Sequence, residues 1–156
     1  MKRNLKLIAI FFPFLLMQGC LKNKNECIAK TVQSEEATMQ AYAASHGMAY
    51  TRHPAGIYYQ IINQGSGAAV TSNSRVSMIY TGKLMDDTVF DQATSATAFY
   101  PVSGFIVGWQ YALPLLNKGG SLRLLIPSSL AYGCVGVGSI PANSVLYFDV
   151  QVADVQ

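Results

Sequence analysis

Side chains able to do covalent or metal chemistry are sparse in this sequence. It has no paired histidines, no CxxC pair and no clustered carboxylates beyond the adjacent pairs Glu35-Glu36 and Asp86-Asp87, so its motifs supply neither a zinc centre nor a nucleophile, base and acid triad. His46 stands alone near the end of a helical stretch and fits a partner for the helix C-terminal dipole better than a metal ligand. Asp86-Asp87 follows one strand-like stretch and precedes another, as a solvated hairpin turn would. What remains is a set of aromatic and apolar residues beside glycines, with one isolated acid: Tyr80, Phe90, Asp91, Tyr100, Phe105, Ile106, Trp109, Tyr132, Ile140 and Phe148. Taken singly, each is an ordinary core residue. The chemistry open to the set is apolar enclosure rather than nucleophilic attack, and no metal or cofactor is expected.

The elements that would hold these residues follow from the hydrophobic period. Ile57 to Ile62, Arg75 to Tyr80, Leu122 to Ile126 and Val145 to Val152 are rich in β-branched and aromatic residues and read as strands. One helical stretch, Ile106 to Leu116, lies among them. Pro114 removes an N–H and crowds the preceding turn, which predicts a short helix over about Gly108 to Leu113. Strands outnumber helices without regular alternation, so the fold class is α+β with an antiparallel sheet. Upstream, Ser34 as N-cap, Glu35 and Glu36 in the first turn, Ala37 to Ser45 as helix formers and Gly47 as the stop predict an N-terminal helix over 34–47. A length of 156 residues allows one domain with a short appendage.

In order along the chain, Met78-Ile79-Tyr80-Thr81-Gly82, Thr88-Val89-Phe90-Asp91, Phe105-Ile106-Val107-Gly108-Trp109, Gly119-Gly120, Leu130-Ala131-Tyr132-Gly133, Ile140-Pro141 and Leu146-Tyr147-Phe148-Asp149-Val150 resemble the FKBP family of peptidyl-prolyl cis/trans isomerases over residues 54–156. The resemblance implies a half-barrel of five to six antiparallel strands wrapped round one short helix, with a substrate proline entering between them. It implies Trp109 as the pocket floor, Tyr80, Phe90 and Phe148 as walls, and Tyr100, Phe105, Ile106 and Ile140 at the rim. Asp91, Tyr132 and Tyr80 would be the catalytic polar groups, with Asp91 beside the bound amide and a ligand hydrogen bond at Tyr132. The partners implied are proline-containing unfolded or nascent polypeptides, and macrolide inhibitors. Phe105 stands where the family commonly has a smaller aliphatic residue and Tyr100 where phenylalanine is usual, so a narrower, more polar mouth is expected.

The apolar excess of the composition sits at the N-terminus. Lys2, Arg3 and Lys6 precede an apolar run from Leu7 to Met17 that is too short for a permanent span. Leu16-Met17-Gln18-Gly19-Cys20 resembles a lipobox, which implies a signal peptide over 1–19, lipidation at Cys20 and a membrane-anchored protein of the cell envelope. Leu21 is not the acidic residue that tends to mark inner-membrane retention, so the outer membrane, facing the periplasm, is the expected destination. Residues 20–33 are polar without a periodic face and read as a lipidated tether. Three of the eleven basic residues lie in the signal, leaving eight against eight acids, a balance that gives no reason to expect nucleic acid as a partner.

Cys27 and Cys134 then remain as an even pair in an oxidising compartment. They pair or stay free according to whether their Cα atoms come within about 7 Å. Two function classes follow: an isomerase assisting the folding of exported proteins, or an FKBP-like holdase or adaptor that binds clients without turnover.

Overall fold

Alternate side chains of β6 (Ser121–Ile126) and β7 (Leu146–Val155) enter two different cores. Leu122, Leu124, Ile126, Leu146, Phe148, Val150 and Val152 bury on one face, while Leu125 and Tyr147 bury on the other. Strand side chains alternate with a period of two, so strands apolar on both faces need cover on both. In the computed structural model, which describes residues 27–156, α2 (Val107–Ala112) covers the first face and α1 (Val32–Ser45) covers part of the second. The expected signal peptide and Cys20 lie outside the described residues.

The sheet is antiparallel throughout, in the order β1 (Thr51–Arg52), β2 (Tyr58–Asn63), β6, β7, β3 (Arg75–Lys83), β4 (Val89–Ala93), with β5 (Tyr100–Pro101) pairing with the start of β3. Its centre is the long β3 and β7 pair, in register from Val76 opposite Val155 to Lys83 opposite Tyr147, with one irregularity at Ser77 and Met78. The α+β antiparallel class agrees with the sequence reading, but seven strands form where five to six were expected. The difference lies in β1 and β5, two residues each, which are too short to carry a periodic signal.

Both helices are shifted from their predicted bounds. α1 begins at Val32 rather than 34 because Thr31, not Ser34, is the N-cap: the Ser34 N–H donates to Thr31 Oγ1 at 3.2 Å, and the Ser34 hydroxyl donates to the Thr31 carbonyl at 2.7 Å. Glu35 lies in the first turn, as expected, but is buried rather than facing water. Its Oε2 accepts the Ser128 N–H at 2.8 Å and the Ser128 hydroxyl at 2.9 Å. At the other end, His46 is the C-cap; its Nδ1 lies 2.9 Å from the Tyr42 carbonyl and its Nε2 3.1 Å from Asp87. Asp87 also accepts the Tyr42 hydroxyl at 2.6 Å. The β3 to β4 turn is therefore fastened to α1 rather than merely solvated, and this hydrogen bond holds the Asp87 carboxyl below its ordinary range.

α2 spans Val107–Ala112, one residue earlier than expected, and Leu113–Leu115 tightens into a 3₁₀ turn. Pro114 causes the change, since a tighter turn tolerates its missing N–H. Gly108 sets the distance between α2 and the sheet, because a Cβ there would lie 2.5 Å from Ile126 Cγ2. Gly108→Ala is expected to cost about 1–3 kcal/mol by forcing helix and strand apart, read as a lower urea midpoint at unchanged slope.

Candidate active site

Residues from five places in the chain meet above α2. Met78 and Tyr80 come from β3, Phe90 and Asp91 from β4, Phe148 from β7, and Phe105, Ile106 and Trp109 from the start of α2. Tyr132 stands in the loop after the 3₁₀ turn Ser128–Leu130. With Thr97, Tyr100 and Gly104 they enclose a cavity of about 400 Å³, within the usual range for small-ligand pockets. Trp109 is 4% exposed and lies among rings. Tyr80 and Phe148 stand nearly perpendicular to it at 5.3 and 5.1 Å between centroids, and Phe105 lies tilted at 5.1 Å. Edge-to-face contacts of this kind are favoured by the ring quadrupole. Phe90 extends the wall edge-on to Phe148 at 5.5 Å. Gly82 makes that contact possible, since a Cβ there would lie 2.7 Å from both rings.

The polar part is small. The Tyr80 hydroxyl donates to Asp91 Oδ2 at 2.7 Å. Burial, then the bond to Asp91 and its charge, push the Tyr80 phenol up from 10.0 to about 12. Burial, with the Asp91 charge adding, also raises Tyr132. Both phenols are donors near neutral pH, as any tyrosine is, and these shifts extend their protonated range upward. Asp91 is the one charged residue lining the cavity. Residues 92–117 and 124–148, which supply most of the remaining wall and rim, contain no charged side chain.

Of the ten expected site residues, nine line this cavity: Tyr80, Phe90, Asp91, Tyr100, Phe105, Ile106, Trp109, Tyr132 and Phe148. Ile140 does not. It is 7% exposed, part of the main core, and paired with Val137 across a tight turn. Phe105 and Tyr100 sit edge-on at 6.3 Å and together crowd one side of the mouth.

Met78, Thr97 and Gly104 were not anticipated. Met78 reads as an ordinary core position, while Thr97 enters because its N–H and hydroxyl oxygen pair with the Met78 carbonyl and N–H at 3.0 and 3.1 Å. Gln110, also unanticipated, donates to the Phe105 carbonyl at 2.7 Å and steadies the turn leading into α2. The long charge-free stretches were the available signal that these loops face a common apolar site. Cys27 and Cys134 are joined, with Cα atoms 5.3 Å apart. Among the described residues no group of three or more His, Cys, Asp or Glu could hold a metal, and no helix is long and apolar enough to cross a membrane.

The family model of the FKBP-type peptidyl-prolyl cis-trans isomerase matches residues 67–153. The chain belongs to that family. It is 46% identical over 103 residues to the FKBP-type 22 kDa peptidyl-prolyl cis-trans isomerase of Escherichia coli, an alignment covering 64% of this chain and 50% of that protein. It is 37% identical over 123 residues to FkpA of Aeromonas hydrophila, covering 78% and 45%. Among solved structures, a peptidyl-prolyl cis-trans isomerase of Pseudomonas syringae superposes with a TM-score of 0.70 at 31% identity, covering 80% of this chain and 92% of that one. FkpA from Escherichia coli superposes with a TM-score of 0.70 at 33% identity, covering 80% and 61%. The chain thus spans about half the length of the curated relatives it matches, and the FKBP match includes all nine cavity residues from the expected set.

Because the folded pKa of Tyr80 lies above that of a free tyrosine, its protonated form contributes stability that is complete below about pH 10 and lost as pH climbs through about 12. An ultraviolet titration of the Tyr80→Phe variant, subtracted from that of the parent, is expected to show one phenol ionising near 12. A difference curve centred at the ordinary tyrosine value would contradict the Tyr80 to Asp91 bond.

Proposed function

We propose that this chain is a peptidyl-prolyl cis/trans isomerase that assists the folding of exported proteins, held at the cell envelope by a lipid on Cys20. The observation that carries the reading is the cavity itself. An indole floor is walled by rings, and its one carboxylate, Asp91, is already hydrogen-bonded to Tyr80. Such a site suits a reaction that breaks no covalent bond. Rotation about a prolyl C–N bond must overcome amide resonance, a barrier of about 18–20 kcal/mol, and takes roughly 10 to 100 s unaided. A planar amide is more charge-separated than a twisted one. Moving it from water into the cradle of Trp109, Phe90 and Phe148 therefore raises the planar form relative to the twisted transition state.

The proline ring would rest on Trp109, with Tyr132 donating to a substrate carbonyl, Asp91 beside the rotating amide and Tyr80 holding Asp91 in place. The backbone N–H of Ile106 would supply a further donor. Crowding by Phe105 and Tyr100 favours slim residues beside the proline and weak binding of macrolides. Export is supported by the basic and apolar N-terminal run and by the Cys27 to Cys134 disulfide, a bond typical of oxidising compartments. Cys20 would fix the protein to the outer membrane, facing the periplasm. The holdase reading has one observation of its own, the exposed apolar side chains of Val135 and Val137 in the loop after Tyr132.

Exchange of a short Xaa-Pro peptide, followed by NMR or by protease-coupled absorbance, decides between them. The isomerase reading expects catalysis by the full-length chain, reduced about 10- to 100-fold in kcat/KM by Asp91→Leu or Trp109→Ala. With no charge but Asp91 at the site, kcat/KM for a neutral peptide is expected to change less than about twofold between roughly 0.05 and 0.5 M salt. Absence of acceleration, with slowed aggregation of an unfolded client, would favour the holdase.

A further inference from the structure

Tyr132 stands at the start of a loop whose own ties are few: the Gly136 N–H donates to the Tyr132 carbonyl at 3.3 Å, and Val137 pairs with the buried Ile140 across a tight turn. Gly133, Gly136 and Gly138 all have left-handed backbones, at φ of 59°, 69° and 54°, and glycine leaves a chain its widest conformational freedom. Val135 is 81% exposed and Val137 51%, so side-chain burial contributes little order there. A hydroxyl that must meet a substrate carbonyl needs placement to about 0.5 Å.

The ties that supply this placement come from the other end of the chain. Before Tyr132, the Ser128 carbonyl accepts the N–H groups of Ala131 and Gly133 at 3.0 and 2.8 Å. Ser128 is itself gripped through its N–H and hydroxyl by the buried Glu35 of α1. After Tyr132, Cys134 is bonded to Cys27 across 107 residues of sequence. Asn143 closes the base of the loop by donating its N–H to the Gly133 carbonyl at 2.8 Å. Its side chain grips residues 28–30: Oδ1 accepts the Lys30 N–H at 3.3 Å, and Nδ2 donates to the Ile28 carbonyl at 3.0 Å. Asn143 adopts φ of 57°, a left-handed conformation that asparagine tolerates better than most residues. None of Cys27, Ile28, Lys30, Glu35 and Asn143 lines the cavity.

We propose that residues 27–31 form a strap, and that Cys27, Asn143 and Glu35 are positioning residues that act on turnover by holding the Tyr132 loop in its working geometry. This rests on the reading of Tyr132 as a substrate-binding donor. The strap bonds the loop at Cys134 and grips Asn143, which in turn holds Gly133, while Glu35 fixes the turn that precedes Tyr132. Loosening the strap leaves the Trp109 floor and the Tyr80 to Asp91 bond in place and widens only the range of positions that the Tyr132 hydroxyl visits.

The test is a double-mutant cycle on the full-length chain. Asn143→Gly keeps the left-handed backbone accessible and removes both side-chain bonds to the strap; Cys27→Ala removes the disulfide. In the parent each is expected to lower kcat/KM about three- to tenfold, whereas in a Tyr132→Phe background each lowers it less than about 1.5-fold. Treating the folded parent with dithiothreitol, which turns the disulfide into two thiols and is itself oxidised to its cyclic disulfide, is expected to reproduce the Cys27→Ala loss without any change of sequence. Equal losses in both backgrounds, or none in the parent, would overturn the proposal, the first by assigning the strap a general stabilising role. Full activity of Tyr132→Phe alone would instead overturn the reading of Tyr132, and the strap proposal with it.

Discussion

Gly108 brings α2 so close to β6 that a single added methyl would meet Ile126 at 2.5 Å, and that approach fixes where the Trp109 indole lies. One residue further along the helix, Trp109 is carried down among Tyr80, Phe105 and Phe148 with ring centroids 5.1 to 5.3 Å away. Packed interiors have little room to absorb a displacement of even one methylene, so the spacing of helix and sheet is also the depth of the cavity. Gly82 plays the matching part on the sheet, where the missing side chain lets Phe90 and Phe148 meet edge to face. Two absent Cβ atoms thus shape a site made otherwise of large rings.

The electrostatics of the site follow from the same economy of polar groups. Low surrounding polarity makes each remaining polar contact stronger and each unmatched one more costly. Asp91 is matched by Tyr80, and partial burial raises the Tyr80 and Tyr132 phenols above the ordinary tyrosine value. The charge-free stretches 92–117 and 124–148 leave the mouth without competing charges, so a planar amide entering it would exchange water for rings and a small number of fixed donors.

α1 does more than precede the domain. Its apolar residues Met39, Tyr42 and Ala43 pack against Tyr58, Leu125 and Tyr147, a second core on the sheet face opposite the cavity. Its buried Glu35 holds the turn that leads to Tyr132, and Tyr42 and His46 hold the β3 to β4 turn through Asp87. Burying a carboxyl is costly unless hydrogen bonds compensate, and here Ser128 provides two to one Glu35 oxygen while the Lys30 ammonium lies 3.9 Å from the other.

Local pattern was enough to read the α+β class, the long strands and the short helix with its disturbance at Pro114, and the FKBP order pointed to nine residues that line one cavity. Each of these depends on period, on a glycine or proline whose backbone limits are intrinsic, or on motifs whose order along the chain is itself the signal. Folding decided the remainder. Ile140 went to the core, since its neighbour across a tight turn and not its type sets its direction; Thr31 rather than Ser34 became the cap, although both residues can serve as one. β1 and β5 pair only because longer strands present edges to them. Glu35, written like any acid of a first helical turn, is buried because Ser128 arrives from 93 positions away. The joining of Cys27 to Cys134 depends on a distance between segments 107 positions apart that neither residue's neighbours encode. Sequence alone set what each segment prefers and which residues could enclose a proline; tertiary structure set which distant segments hold them still, because those contacts exist only once folding has brought residues 27–35 beside residues 128–143.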